Sequence, residues 1–229
     1  MSESASIART TTRGPAVSVD VALFTPRGNE LAILLISASG GRGRNRWLLP
    51  SDGLRSDESI DVAATRIARD ALGTVPAFLD QSRAHGVSRP VAGVPQISVV
   101  YFGVTPDSGV ARRNADWVGL SALPSLGSRV KEEIDAALAA LRGHVDRCPI
   151  AFRLLPATFT LSDLQTVYEL LLGRRLHKAS FRRSLHAAAL VEATDEWRGE
   201  GRGRPAQLFR YAPPRRRRQR RGVRFDLLG

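Results

Sequence analysis

Acidic and basic side chains are grouped in one short stretch of this sequence, residues 47–73, which reads WLLPSDGLRSDESIDVAATRIARDALG. Its pattern indicates a short strand, a loop and an amphipathic helix, a layout that can present acidic groups to a diphosphate and its metal ion. Glu58, Arg66 and Asp70 suit that chemistry, because Mg²⁺ takes hard oxygen ligands and arginine pairs with phosphate. The predicted helix carries few carboxylates. The strand–loop–helix layout is therefore present, but some of the acidic groups that would hold the metal ion are missing.

The elements before and within this stretch can be read from hydrophobic spacing. Residues 17–25 and 31–39 are apolar runs joined by the turn sequence PRGNE, which predicts a hairpin whose second strand is buried on both faces. A basic glycine-rich loop, residues 40–46, leads to a short strand that Pro50 ends. Apolar positions recur at helical spacing over residues 60–72, and Gly73 is a natural helix terminator.

Beyond Gly73 the pattern continues as mixed α/β structure. Residues 76–105 read as a loop followed by the central-strand candidate QISVVYFGV, residues 117–120 as one more short strand, and residues 130–141 as a second amphipathic helix. Together these elements predict a domain of about 140 residues, which is an ordinary size for one domain.

The last third has a different pattern, that of a helix-turn-helix. Residues 160–172 predict a helix with Thr160 as N-cap and Asp163 completing a capping box, and Gly173 ends it. Residues 178–190 predict a second helix with Phe181 and Leu185 facing inward. The Gly/Arg-rich loop EWRGEGRGRP between two short strands then predicts a wing, and six arginines in residues 215–221 form a basic tail.

The charge is divided unevenly between these parts. Residues 1–149 hold 17 basic and 15 acidic residues, a net charge of +2, whereas residues 150–229 hold 17 and 7, a net charge of +10. A basic region confined in this way is expected of a nucleic-acid-binding module, although a basic tail can also contact anionic lipid.

Composition excludes several other classes. No apolar run reaches the length needed to span a membrane, and the first residues lack the apolar core of a secretory signal. A single cysteine, Cys148, excludes an internal disulfide framework and favours a reducing cytoplasm, where we expect it to be a small buried hydrophobic residue.

Residues 47–73 resemble the Nudix box, with Glu58, Arg66 and Gly73 at positions of its pattern. The departures are Asp52 for the first glycine, Ile67 and Ala71 for glutamates, and Asp70 for a longer glutamate. In that family the helix glutamates hold Mg²⁺ against a pyrophosphate. With Ile67 and Ala71 contributing no ligand, we expect hydrolysis to be absent or very weak, with no metal site, and Mg²⁺ only if some hydrolysis remains. An accidental match on an ordinary amphipathic helix is the alternative.

Residues 159–211 are similar to the winged-helix half of the Nudix-related regulators of NAD metabolism genes, the NrtR family. FTLSDLQTVYE, the LGR turn, the SFRR start of the second helix and GRGRPAQLFR in the wing carry this resemblance. It implies a mixed-sheet, Nudix-like α/β/α sandwich followed by a winged helix-turn-helix. We expect a flexible arm at 1–15, an effector-binding domain at 16–146, a linker at 147–158, the DNA-binding domain at 159–212 and the tail at 213–229.

The resemblance implies an effector pocket for ADP-ribose or a related NAD-derived nucleotide. Loop arginines that include Arg42 and Arg44 could reach a pyrophosphate, Trp47 or Trp117 could stack a base, and Arg66 is equally suited to be a structural partner of Glu58. The expected effector-binding residues are Arg46, Trp47, Arg55, Glu58, Arg66, Asp70 and Arg89.

The DNA-binding residues follow from the helix-turn-helix. Arginine at the start of the second helix can read guanine in the major groove, and the first helix and wing can contact phosphates. The expected set is Thr160, Gln165, Tyr168, Lys178, Ser180, Arg182, Arg183, Arg202 and Arg204. Tyr168 is equally suited to be a core aromatic.

These features predict a cytoplasmic, homodimeric repressor of NAD-metabolism genes that binds a palindromic double-stranded DNA operator, responds to ADP-ribose, has no cofactor and does not contact membranes. A weak nucleotide diphosphate hydrolase carrying a nucleic-acid-binding domain is the alternative. A general nucleic-acid-binding protein with the first domain as a dimerisation scaffold is a third possibility.

Overall fold

The structure is a computed structural model, and it describes residues 15–39, 45–91, 94–106, 114–145, 147–199 and 205–212. The expected arm at 1–15 lies almost wholly, and the basic tail at 213–229 wholly, outside this described part. Within it, no helix combines the length and the apolar character needed to cross a membrane.

A seven-stranded mixed sheet forms the N-terminal half. Its central strand β1 pairs in parallel with β6 and antiparallel with β2 and β4, while β2 also pairs with β3 and β7, and β6 pairs with β5. The strands are β1 (Ala16–Arg27), β2 (Glu30–Ser39), β3 (Asn45–Leu48), β4 (Ser51–Gly53), β5 (Phe78–Val91), β6 (Val94–Val104) and β7 (Ala115–Gly119). The predicted hairpin of residues 17–25 and 31–39 is therefore confirmed.

Helices cover both faces of this sheet, which explains why residues 21–24 of β1 are all apolar and buried. Val19, Val21 and Leu23 of β1 pack with helix α1 (Ile60–Leu72). The alternate residues Ala22 and Phe24 pack on the opposite face, beside helix α2 (Ser128–Val145). Side chains of a strand alternate between faces, so a strand covered on both sides must be apolar at nearly every position. The predicted α/β/α sandwich is confirmed.

The prediction of a loop before the central strand is wrong, because strand β5 lies there. Its sequence, FLDQSRAHGVSRPV, has neither a continuous apolar run nor a clean alternation, and it contains a glycine and a proline. Because β5 lies at the edge of the sheet and β6 is its only partner among the described strands, it does not need the two-sided burial that makes a central strand recognisable. Proline is tolerated in such an edge strand.

The C-terminal half is a winged helix-turn-helix. Its three-stranded sheet has the order β8 (Thr158–Phe159), β10 (Ala206–Tyr211), β9 (Val191–Arg198). Helix α3 (Leu161–Leu172) and helix α4 (Lys178–Ala188) lie between β8 and β9 in the chain. The predicted capping box is present, since Thr160 Oγ1 accepts from the Asp163 amide and Asp163 Oδ2 accepts from the Thr160 amide. Gly173 ends α3 in the left-handed conformation with φ of 68°.

The segment between the halves is packed into the core. A 3-10 helix, Ile150–Leu154, lies within the predicted linker at 147–158, and its side chains Ile150, Phe152 and Leu154 are buried. They join one continuous apolar cluster that runs from the α2 face of the sheet to α3 and α4. Cys148 is partly buried against the same cluster, as expected for a small hydrophobic residue.

Phe152 is the aromatic centre of that junction. Its ring centroid lies 4.6 Å from that of Tyr211, 5.7 Å from that of Phe159 and 6.4 Å from that of Tyr168. Three separate elements of the winged helix therefore pack on one side chain of the connecting segment.

We expect Phe152→Ala to lower the free energy of unfolding by about 3–5 kcal/mol, because truncating a buried phenylalanine leaves a cavity that rigid neighbours cannot fill. Denaturant unfolding followed by circular dichroism measures the change. Val75→Ala, at a position 51% exposed, is the matched control and should change stability by less than about 0.5 kcal/mol. Equal stability of Phe152→Ala and wild type would contradict a shared core.

Candidate effector site and nucleic-acid interface

The Arg66 guanidinium organises the stretch that resembles the Nudix box. It donates to Glu58 through Nε at 3.0 Å and Nη2 at 2.7 Å, to Asp52 through Nη1 at 2.6 Å, and to the Gly53 carbonyl at 3.2 Å. The Arg55 amide also donates to Glu58 at 3.1 Å. One side chain of α1 thus holds β4 and the loop before the helix, so Arg66 is a structural partner of Glu58 here.

These contacts set the charge states of the group. Hydrogen bonds from the Arg66 side chain lower the pKa of Glu58 to about 2 and, together with that of the Gly53 amide, lower the pKa of Asp52. Hydrogen bonds to Glu58 and Asp52 raise the pKa of Arg66 in turn. The carboxylate oxygens of Glu58 are therefore ionised but already occupied by an internal cation.

A cavity of about 360 Å³ lies beside this group, against the last two turns of α1. Arg66, Ile67, Asp70 and Ala71 line it on the helix side. Ile67 and Ala71 are only 4% and 7% exposed and belong to the apolar stripe that packs on the sheet. Neither of these two side chains offers an oxygen ligand to a Mg²⁺ ion, whereas Asp52 and Asp70 line the same cavity. Among the described residues, no group of three or more His, Cys, Asp or Glu side chains could hold a metal ion.

A second cavity, of about 440 Å³, lies on the α2 face of the sheet. Two carboxylates in it, Asp20 of β1 and Glu133 of α2, are only 5% and 3% exposed. Arg129 joins them, donating to Glu133 at 2.7 Å and to Asp20 at 3.1 Å, and Ser98 Oγ donates to Asp20. Buried charges need partners of this kind, because an unpaired one carries a large desolvation cost.

Burial shifts the pKa values of two neighbouring groups, Glu133 and His85, in opposite directions. It raises the pKa of Glu133 despite the hydrogen bond from Arg129, and it lowers the pKa of His85, whose Nε2 lies 3.7 Å from Glu133. Sequence reasoning missed these residues. The available signal was a carboxylate inside an apolar pattern, Asp20 in the run VSVDVALFT and Glu133 on the inward stripe of α2.

The predicted effector residues divide between the two cavities. Arg46 lines the α2-side cavity, and Arg66 and Asp70 line the cavity beside α1. Residues 48, 49 and 51 line both, so the β3–β4 segment stands between them.

The other candidates of this set lie nearby or in the core. Arg55 is exposed, with Nη2 4.0 Å from Asp52, while Trp47 and Trp117 are half-buried against the core. The side chain of Arg89, and the whole of Arg42 and Arg44, lie outside the described residues.

Helix α4 presents the expected face for nucleic acid. Phe181 and Leu185 are buried in the shared apolar cluster, where Phe181 packs on Tyr168 of α3, so the opposite face is directed outward. The exposed side chains are those of Lys178, Ser180, Arg182, Arg183 and His186. Three cations and a hydroxyl thus stand exposed on the first two turns of the second helix.

Three predicted phosphate contacts on α3 have internal roles instead. Thr160 caps the helix, and Tyr168 is 1% exposed, with its ring 5.5 Å from that of Phe181. The Gln165 amide donates to the Leu176 carbonyl at 3.0 Å and to Glu169 at 2.9 Å, which holds the turn between the helices. Because these groups are buried or already paired, we do not retain them as DNA contacts.

An ion pair anchors the wing to α3. Arg198, at the end of β9, donates to Asp163 at 2.9 Å, so the strand that leads into the wing loop is tied to the first turn of α3. Arg202 and Arg204, the predicted wing contacts, lie outside the described residues.

Comparison with known proteins identifies relatives over both halves. Residues 151–211 match the family model of the NrtR DNA-binding winged helix domain. The ADPR responsive transcriptional repressor NtrR of Acinetobacter baylyi is 29% identical over 207 residues, covering 86% of this chain and 82% of the relative.

Solved structures agree with these matches. The crystal structure of Shewanella oneidensis NrtR complexed with a 27mer DNA has a TM-score of 0.71 and 27% identity, over 86% of this chain and 94% of the other. A MutT/nudix family protein from Enterococcus faecalis has a TM-score of 0.69 at 17% identity, over 87% and 89% of the two chains, and shows the fold alone. The resemblance to NrtR regulators is confirmed, and so is a Nudix-like fold with a C-terminal winged helix.

We expect Glu58→Gln to make the free energy of unfolding less dependent on pH in the acid range. The pKa of Glu58 is about 2 in the folded protein against an ordinary value of 4.5, so its contribution is present above pH 4.5 and lost as the pH falls toward 2. Denaturant titrations across this window measure the slope, which should be smaller in the variant than in wild type. Asp57→Asn, at the exposed neighbouring carboxylate, is the control. If the free energy of unfolding had the same pH dependence in Glu58→Gln and in wild type, the pairing of Glu58 with Arg66 would be contradicted.

Proposed function

We propose that this chain is a DNA-binding transcriptional repressor of NAD-metabolism genes whose N-terminal domain senses ADP-ribose or a related NAD-derived nucleotide. The exposed basic turns of α4 support this proposal most directly, because they lie on a domain that matches the NrtR winged helix. The likeness to a regulator crystallised with a 27mer DNA agrees with it.

DNA recognition follows from the exposed side chains. Arg182 and Arg183 can each pair with the O6 and N7 acceptors of guanine in the major groove, whereas Lys178 and Ser180 suit phosphates or base edges near the start of α4. The net charge of +10 in residues 150–229 adds attraction that depends on salt but carries no sequence information. In a homodimer two such helices would engage the half-sites of a palindromic operator, about one helical turn apart.

The effector site is best placed on the two cavities that share the β3–β4 segment. ADP-ribose consists of two ribosyl ends joined by a diphosphate, and two adjoining cavities of about 440 and 360 Å³ suit a ligand of that form. Asp20 and Glu133 are acceptors for ribose hydroxyl or adenine amino donors, and Arg46 is placed at the same cavity for phosphate. The Acinetobacter baylyi relative is described as ADPR responsive, which supports this choice.

Hydrolysis is not part of the proposed function. The helix positions that would supply metal ligands hold the buried Ile67 and Ala71, and Glu58 is engaged by Arg66. A site that binds a diphosphate without cleaving it preserves its own signal, as a sensor requires. Such a regulator acts where the DNA is, so we propose a cytoplasmic location.

We expect Arg182→Ala and Arg183→Ala each to weaken binding to the promoter region beside the protein's own gene by about 5- to 150-fold, the cost of about 1–3 kcal/mol for losing one bidentate base contact. Fluorescence anisotropy at fixed salt measures the affinity. Lys131→Ala removes the same charge from an exposed position of α2 and should stay within about twofold of wild type. Uniform weakening on promoter and random DNA would assign both arginines to phosphates instead.

We expect ADP-ribose to bind the wild-type protein in calorimetry and to remain intact after incubation with Mg²⁺. Asp20→Asn should weaken binding by at least about tenfold, because the amide cannot replace a charge-assisted acceptor. Chromatography for AMP tests the second part. Release of AMP that Asp70→Asn abolishes would establish the hydrolase alternative, and undiminished binding by Asp20→Asn would place the ligand elsewhere.

A further inference from the structure

Helix α2 runs from the α2-side cavity to the winged helix. It has 18 residues, which at 1.5 Å per residue gives a length of about 27 Å. Ser128, Arg129 and Glu133 at its start line the cavity. Leu141 and Val145 near its end are fully buried in the cluster that includes α3 residues. One rigid element therefore has one end in the proposed effector site and the other in the core of the DNA-binding domain.

The first turn of α2 is held to the sheet by the ion pair between Arg129 and Asp20 and by the burial of Val130 in the apolar cluster. Arg129 reaches Asp20 across from β1 and Glu133 one turn further along the helix. A ligand whose hydroxyl or amino donors pair with Asp20 competes with Arg129 for the same oxygens. A ligand donor that takes Asp20 Oδ2 displaces Arg129 from that oxygen and so removes one of the contacts that hold the start of α2.

The far end of α2 meets α3 through Arg142 and Gly173. A Cβ placed on Gly173 would lie 2.5 Å from Arg142 Nη2 and 3.3 Å from Cζ, so the guanidinium lies directly against the glycine. Gly173 ends α3 and precedes the turn to α4. A shift of α2 therefore moves Arg142 against Gly173 and changes the turn between α3 and α4.

The surroundings of Arg142 leave room for two positions of its side chain. A cavity of about 410 Å³ lies between the halves, and Arg142 and Gly173 are among the residues that line it. Glu30 and Glu169 on its walls are possible carboxylate partners for a displaced guanidinium, although each is already paired, with Ser121 and Arg175 respectively. A packed element with two available arrangements is what transmission between sites requires.

We propose that α2 transmits effector binding to the winged helix and that Arg142 is the positioning residue at its output end. This inference rests on the proposed function and adds the route by which the same site controls DNA affinity. At one end of the helix, Arg129 changes its pairing with Asp20 when the ligand binds. At the other end, the contact of Arg142 with Gly173 determines the conformation of the α3–α4 turn. Neither ligand needs to touch Arg142.

The test measures coupling on the full chain. Promoter affinity is determined by anisotropy without and with saturating ADP-ribose, and the ratio of the two values is the coupling factor. In Arg142→Ala this factor should move toward one by about fivefold or more, while the affinity for ADP-ribose without DNA stays within about twofold of wild type. Lys131→Ala, which removes the same charge from the same helix, should keep the wild-type factor.

Arg142→Gln serves as a second variant and keeps the length of the side chain in case the alanine variant is poorly folded. A purely structural role would lower the unfolding temperature and leave the coupling factor unchanged. A wild-type factor in Arg142→Ala and Arg142→Gln, with both ligands bound normally, overturns the inference and leaves the proposed function standing. A wild-type protein whose factor is one, although it binds both ligands, overturns the sensing function itself.

Discussion

The apolar cluster on the α2 face of the sheet is the feature on which both halves of this molecule depend. It begins with alternate residues of β1, β2 and β6, continues through α2, and reaches α3 and α4 through Phe152 and its neighbours. Hydrophobic burial is not directional, so a shared cluster joins two domains as firmly as it holds each of them. The segment between them is consequently a packed 3-10 helix, and the orientation of the DNA-binding surface follows from the core beneath it.

The stretch that resembles the Nudix box, residues 47–73, is held together by one arginine. Arg66 ties Glu58, Asp52 and the Gly53 carbonyl together, which fixes the loop before α1 against β4. The same contacts use the carboxylate that would otherwise be available to a metal. Ile67 and Ala71 extend the apolar face of α1, so the helix gains packing at the positions where a hydrolase of this type needs charge.

Electrostatics separates the two halves more sharply than packing does. The first half is close to neutral and pairs some of its charges in two networks, one at Arg66 and one at Arg129. The second half is strongly basic and exposes three of its cations on α4. Internal networks hold a ligand or a helix in place, whereas exposed cations attract a polyanion, so each half has the charge distribution that suits its proposed partner. The helix α2 connects these two regimes.

Elements with a strong period or a specific cap could be predicted from the sequence, and those defined by their neighbours could not. Helix α1 has its predicted bounds, because its apolar spacing and its terminal glycine are local signals. The capping box of Thr160 and Asp163 is local in the same way. Strand β5 escaped prediction because an edge strand is recognised by its partner, and β9 is longer than the short strand that its sequence indicated. The Asp20–Arg129–Glu133 network could not be predicted, because Asp20 and Arg129 are 109 residues apart in the chain.

The amino-acid sequence by itself determined the two-part architecture and the basic character of the second half, because residue type and spacing act within a few turns of chain. Only the tertiary structure decided which charged side chains meet. It placed Arg66 on Glu58 as a structural partner, Tyr168 in the core, and two buried carboxylates around Arg129 in a cavity on the α2 face. Contacts between distant segments depend on sheet register and on the packing of helices across it, and no local pattern encodes them.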